Sequence, residues 1–120
     1  MTYTDNIINA VWEKAKVVDG MDSAMYRLDA ANTLIMRAKY GMDNPYGWVI
    51  DHVYPRKLGG GDELVNLRAM HIKNNNSKRD DYPSYIAALI FDGVKNTEKR
   101  RSLSVNKKLR SELKKLYKGA

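Results

Sequence analysis

The stretch from Trp48 to Lys78, W-V-I-D-H-V-Y-P-R-K-L-G-G-G-D-E-L-V-N-L-R-A-M-H-I-K-N-N-N-S-K, constrains the fold more than any other part of the chain. It opens on a short apolar, β-branched run that ends in the adjacent pair Asp51-His52. Gly59-Gly60-Gly61 then makes a turn, Asn66-Leu67 re-enters an apolar segment, and Asn74, Asn75 and Lys78 lie in a polar one. This order predicts a strand, a glycine-rich loop, a second short strand and a helix that returns to the first strand. An acid, an imidazole and helix-borne amides would then converge on one place.

Successive side chains on a strand face opposite sides, so Asp51 and His52 are expected to point apart. The separation suits cleavage of a phosphodiester, where a base must meet the attacking water on one side of phosphorus and positive charge must meet the departing oxygen on the other. His52 is the candidate base, because an unperturbed imidazole, with a pKa of about 6.5, is mostly neutral at intracellular pH. Asp51 is the candidate metal-binding acid. Asn75 is the second ligand if its helix packs back over the Asp51 strand. A carboxylate, an amide carbonyl, waters and phosphate oxygens form an all-oxygen shell, which suits Mg²⁺, with Mn²⁺ or another divalent ion as a substitute. Asn66 stands where the loop re-enters structure, placed either to bridge backbone across the loop or to hold His52 in one orientation. Arg56, Lys57, Arg68 and Lys73 flank the site, either as phosphate contacts or as solvated charges.

Taken together, D-H-x-x-P, G-G-x-D, N-L and N-N-x-x-K resemble the HNH endonuclease family, whose fold is the ββα-metal finger. The resemblance covers Trp48 to Lys78, with a weaker likeness in Tyr40-Gly41 and Tyr46-Gly47 to small bacterial and phage members. It implies that Asp51 binds the metal, His52 is the general base and Asn66 orients the base and braces the loop. It further implies that Asn75 is the second metal ligand and that Lys78 lies near the DNA backbone. Many members carry zinc-knuckle cysteines at the positions held here by His71 and Asn74. The chain has no cysteine, so no structural zinc is expected. His71 then has three readings: a stand-in for a lost cysteine, a core or capping histidine, or an extra metal ligand one turn before Asn75.

The 120 residues make a single domain, 1–120, with the ββα motif at 48–78 and a basic extension at 95–120. The net charge of +7 comes from that extension, which holds ten Lys and Arg against Glu98 and Glu112. Such a block fits nucleic acid, or a solvated helix face. Without cysteines, a signal-peptide pattern or a long apolar run, the chain reads as cytoplasmic, with no membrane partner.

Outside the motif, Thr4 and Asp5 open an N-terminal helix with Ile7, Ile8, Val11, Trp12 and Ala15 on one face, stopped by Asp19-Gly20. Met21 to Tyr40 is weakly patterned, with a turn near Asp29–Asn32 and a short helical piece through Tyr40. Tyr85 to Phe91 reads as a strand that pairs with Arg101 to Val105 across an Asp92-Gly93 turn, with a helix over Ser84–Phe91 as the alternative. Asn106 or Ser104 caps a last helix. There Val105, Leu109, Leu113, Leu116 and Tyr117 form an apolar stripe opposite Lys107, Lys108, Arg110, Lys114, Lys115 and Lys118.

The expectation is therefore an α+β fold carrying an Mg²⁺-dependent endonuclease. DNA is the expected substrate and RNA the alternative; Lys57, Arg68, Lys78, Lys107, Lys108, Arg110 and Lys114 would contact nucleic acid. Specificity for sequence would be low unless a protein partner adds it. The competing expectations are a silent nucleic-acid-binding module and a subunit of a larger packaging or restriction machine.

Overall fold

A computed structural model describes residues 2–120. They form an α+β fold of three helices and three two-stranded antiparallel sheets. The longest helices have ten residues, and none among the described residues is long and apolar enough to cross a membrane.

Helix α1 (Asp5–Lys14) begins where expected, with the Thr4 hydroxyl accepting from the Ile7 amide and Asp5 in the first turn. It ends at Lys14, before Asp19-Gly20. The cause is tertiary: Lys16 leaves the helix to exchange both backbone hydrogen bonds with Leu28. Ile8, Val11 and Trp12 are buried against Ile35, Trp48, Ile50, Leu67 and Ala69, and the Trp12 and Trp48 rings lie 5.3 Å apart.

The weakly patterned segment contains two three-residue strands that sequence reading missed, β1 (Tyr26–Leu28) and β2 (Leu34–Met36), followed by a 3-10 turn at Arg37–Lys39. The expected turn lies between the strands, with Asn32 at φ +61°. Asp29 builds it: Oδ1 accepts from Ala31 and Thr33, while Oδ2 accepts from the His71 amide and the Asn74 side chain. Strands this short are set by such side-chain contacts, not by alternation.

Strand β3 (Trp48–His52) pairs with β4 (Leu67–His71), placing Asp51 opposite Arg68 and His52 opposite Leu67. Helix α2 (Ile72–Lys78) follows without a loop. Trp48 and Ile50 face α1, whereas Met70, opposite Val49, packs on the other side with Ala31, Tyr85 and Ala87. The hairpin of β5 (Ser84–Phe91) and β6 (Asn96–Ser104) covers that second side, so the helical alternative for Ser84–Phe91 does not form. Strand β6 starts five residues before the expected Arg101. Its polar beginning shows no apolar alternation because Glu98, Lys99 and Arg100 are exposed: Glu98 pairs with Leu89, and Lys99 and Arg100 lie at a register shift before Arg101 pairs with Ala87.

Helix α3 (Lys107–Leu116) is capped by Asn106, whose side chain accepts from the Leu109 amide at 2.8 Å. Its buried stripe is narrower than expected. Leu113 is fully buried with Val53, Tyr54 and Val105, but Leu116 is 48% exposed. Leu113→Ala should therefore lower stability by about 2–5 kcal/mol in urea unfolding; a loss below about 1 kcal/mol would show that α3 is not part of the core.

Candidate functional site

The loop between β3 and β4 is closed by Asn66, which is fully buried. Its Oδ1 accepts from the Tyr54 amide at 2.7 Å, and its Nδ2 donates to the carbonyls of Tyr54 and Gly61 at 3.1 and 2.9 Å. Of the two roles considered for Asn66, the bridge across the loop is the one present; it makes no bond to His52. Gly60 completes the closure, because a Cβ there would lie 1.7 Å from the Tyr54 carbonyl oxygen. The glycines thus serve the loop's own packing, with Gly59 at φ +114° ending the 3-10 turn at Arg56–Leu58.

Asp51 and His52 do point to opposite sides of β3. Asp51 is buried among positive charges: Oδ2 accepts from Arg68 Nε at 3.0 Å, and Oδ1 lies 3.3 Å from Lys78 Nζ. Lys78 has no exposed surface and also donates to the His52 carbonyl at 3.2 Å. Burial pushes the Lys78 pKa down, with Asp51 acting in the opposite direction. Arg68 lies over the Tyr85 ring, 5.1 Å from its centre. The expectation that Lys78 and Arg68 present their charges to a nucleic acid fails: both turn inward to the buried Asp51 carboxylate.

Asn75 is half-buried, and its side chain accepts no hydrogen bond from any described residue. Asn75 lies between Ile72 and Lys78 on α2, three residues from each. Ile72 donates its amide to the Gly47 carbonyl just before β3, and Lys78 reaches Asp51 and His52 at the end of β3. No described hydrogen bond or ion pair joins the Asn75 side chain to Asp51, whose partners are Arg68 and Lys78. Its neighbour Asn74 is a structural clamp. Its Oδ1 accepts from Ala88 and Leu89, and its Nδ2 donates to Asp29 and Thr33.

His71 is the capping histidine. Nδ1 accepts from the Lys73 amide at 3.1 Å, and Nε2 lies 2.9 Å from the Pro45 carbonyl oxygen. With both nitrogens engaged it has none left for an ion, so the ligand reading for His71 is corrected. Among the described residues no three His, Cys, Asp or Glu side chains gather into a metal-holding cluster.

His52 sits in a polar cluster with three residues to which sequence reading gave no role in holding the ring. Its Nε2 lies 2.7 Å from Asp62 Oδ1, with Tyr3 Oη and Arg56 Nε each at 3.3 Å. Arg56 Nη2 donates to Asp62 Oδ2 at 2.8 Å, and the Tyr3 hydroxyl donates to Asp62 Oδ1 at 3.2 Å. The His52 bond, followed by those from Tyr3 and the Arg56 charge, holds the Asp62 carboxyl below its ordinary pKa. Burial and the Asp62 charge push the Tyr3 hydroxyl up to about 12. The aspartate of G-G-x-D was the available signal for this partner. Tyr3 had none, since only the approach of α1 brings it in.

Lys57 is exposed on the same loop. Lys107, Arg110 and Lys114 line a shallow depression with Ser111 on one strip of α3, and Lys108 is exposed beside it. The end of α3 is tied toward the glycine loop, with Tyr117 stacked 5.6 Å from Tyr54 and hydrogen-bonded to Glu63.

In comparison with known proteins, no family model matches the chain, and no curated protein or solved structure gives a significant match.

Asp51 carries structural weight. Asp51→Asn should cost about 3–5 kcal/mol in denaturant unfolding, because it strips the buried Lys78 of its counter-charge. Adding Lys78→Met should recover most of that loss; additive losses in the double variant would mean that the two charges are not coupled.

Proposed function

We propose that the chain is a metal-dependent endonuclease of the HNH kind, hydrolysing DNA phosphodiester bonds on a ββα-metal finger. The observation that carries this reading is the docking of α2 on β3. Through it Lys78 reaches the buried Asp51 carboxylate and the His52 carbonyl at the end of one short strand, whose opposite face carries the His52 imidazole.

The residues suit a hard divalent cation. The Lys78 ammonium rests between Asp51 Oδ1 and the His52 carbonyl, so this place already holds positive charge against oxygen. Asp51 and Asn75 would hold the ion, which in such sites supplies charge stabilisation to the departing oxygen. A single carboxylate with an amide and waters fits Mg²⁺ better than Zn²⁺, which favours nitrogen and sulfur ligands.

His52 takes the proton of the attacking water. As the water O–H bond breaks, its oxygen bonds to phosphorus, and the P–O bond to the departing oxygen breaks with its electron pair. That oxygen is then protonated by solvent. Exposed Lys57 and the Lys107, Lys108, Arg110 and Lys114 group would bind phosphates, giving salt-sensitive affinity with little sequence preference.

One observation favours the second reading, a silent nucleic-acid-binding module: both oxygens of Asp51 are matched by cationic side chains. Plasmid cleavage separates the two. The protein should nick or cut with Mg²⁺ and stop on chelation, and His52→Ala should lower the rate about 10²–10⁴-fold while DNA binding stays unchanged. Binding without cleavage by the parent protein would select the silent module, and equal cleavage by parent and variant would remove His52 as the base.

A further inference from the structure

We infer that Asp62 is a positioning residue for His52, holding its neutral ring with the proton on Nε2 so that Nδ1 is the nitrogen that accepts the proton from water. The inference rests on the reading of His52 as the base, and goes beyond it by naming the working nitrogen and the group that selects it.

His52 Nε2 and Asp62 Oδ1 lie 2.7 Å apart. An ionised carboxylate has lone pairs only, and an unprotonated Nε2 would set a second lone pair against it at hydrogen-bond distance. The contact is attractive only when Nε2 carries hydrogen. A neutral imidazole has one N–H, so Nδ1 is then bare. No described residue hydrogen-bonds to Nδ1, whereas Nε2 is surrounded by Asp62, Tyr3 and Arg56.

Arg56 Nε lies 3.3 Å from the same Nε2, and as a donor it would ask for the other tautomer. Distance and charge decide between the two. Arg56 has its shorter partner in Asp62 Oδ2, at 2.8 Å, and two opposite charges attract more strongly than a cation and a neutral ring. Arg56 and the Tyr3 hydroxyl therefore act on Asp62: both donate to it and keep it ionised, facing His52.

The loop explains how Asp62 holds its place. It directly follows Gly61, whose carbonyl is fixed by the buried Asn66 side chain. Asn66 thus aims the carboxylate indirectly, through backbone, and Asp62 makes the contact to the ring. During cleavage the proton taken at Nδ1 makes the ring cationic, while Nε2–H stays hydrogen-bonded to the Asp62 carboxylate. Asp62 touches neither water nor phosphate in this scheme; it acts through His52.

The direct test is the nitrogen-15 NMR signature of the imidazole in the intact protein, recorded at a pH where the ring is neutral. The chain has only two histidines, so two ring patterns appear. His52 in the parent protein should show a protonated Nε2 and a bare Nδ1, and a protonated Nδ1 would overturn the inference with no variant needed. Asp62→Asn should shift the ring toward a mixture of tautomers and lower kcat at least tenfold with little change in KM, and Asp62→Glu should restore part of both. An unchanged tautomer in Asp62→Asn would also overturn it. Because the NMR signature does not depend on cleavage, failure of the nuclease reading is read separately, from the absence of His52-dependent nicking.

Discussion

A lysine ammonium with no exposed surface determines how the parts of this protein meet. Such a charge is costly to bury unless oxygens surround it. Lys78 finds them in the Asp51 carboxylate and the His52 carbonyl, both at the end of β3. The pairing fixes the angle and position at which α2 lies on β3. It also commits Asp51 to the interior, where Arg68 from β4 completes the neutralisation.

The opposite side of β3 follows different physics. There the aromatic cluster of Trp12 and Trp48 seats α1, and Tyr3, two residues before the helix, arrives beside His52. The glycine loop brings Asp62 to the same ring from the other direction, held by Asn66 and by the absence of a side chain at Gly60. One strand thus separates two chemical environments by the alternation of its side chains: carboxylate with cations on one face, imidazole with carboxylate on the other. For a reaction that needs charge compensation and proton removal on different sides of one phosphorus, this partition is useful.

Much of this was legible from residues alone, for identifiable reasons. The order of elements from Trp48 to Lys78 could be read because apolar runs, glycines and polar helix residues all agree locally. Thr4 and Asn106 announced their helices because capping is a local interaction. The opposed directions of Asp51 and His52 followed from strand geometry. The charges' destinations were not legible: lysine is normally exposed, so nothing in N-N-x-x-K marks Lys78 as buried. Asn74 and Asn75 are indistinguishable as letters, yet Asn74 is buried and clamps β5 while Asn75 is half-buried. The strands at Tyr26–Leu28 and Leu34–Met36 were hidden because three residues are too few to show alternation, and the Asp29 side chain that organises their turn acts through contacts distant in sequence.

On the proposed reading, Asp51 exchanges its cationic side-chain partners for a divalent ion when nucleic acid is present, with Asn75 as the second protein ligand. Anomalous diffraction from crystals grown with Mn²⁺ and a short DNA duplex tests this directly. The expected result is an anomalous peak within coordination distance of both Asp51 and Asn75, close to a phosphate, with Lys78 moved off the carboxylate. Asp51 still paired with Lys78 and Arg68 at saturating Mn²⁺ and DNA, with no peak beside it, would contradict the account.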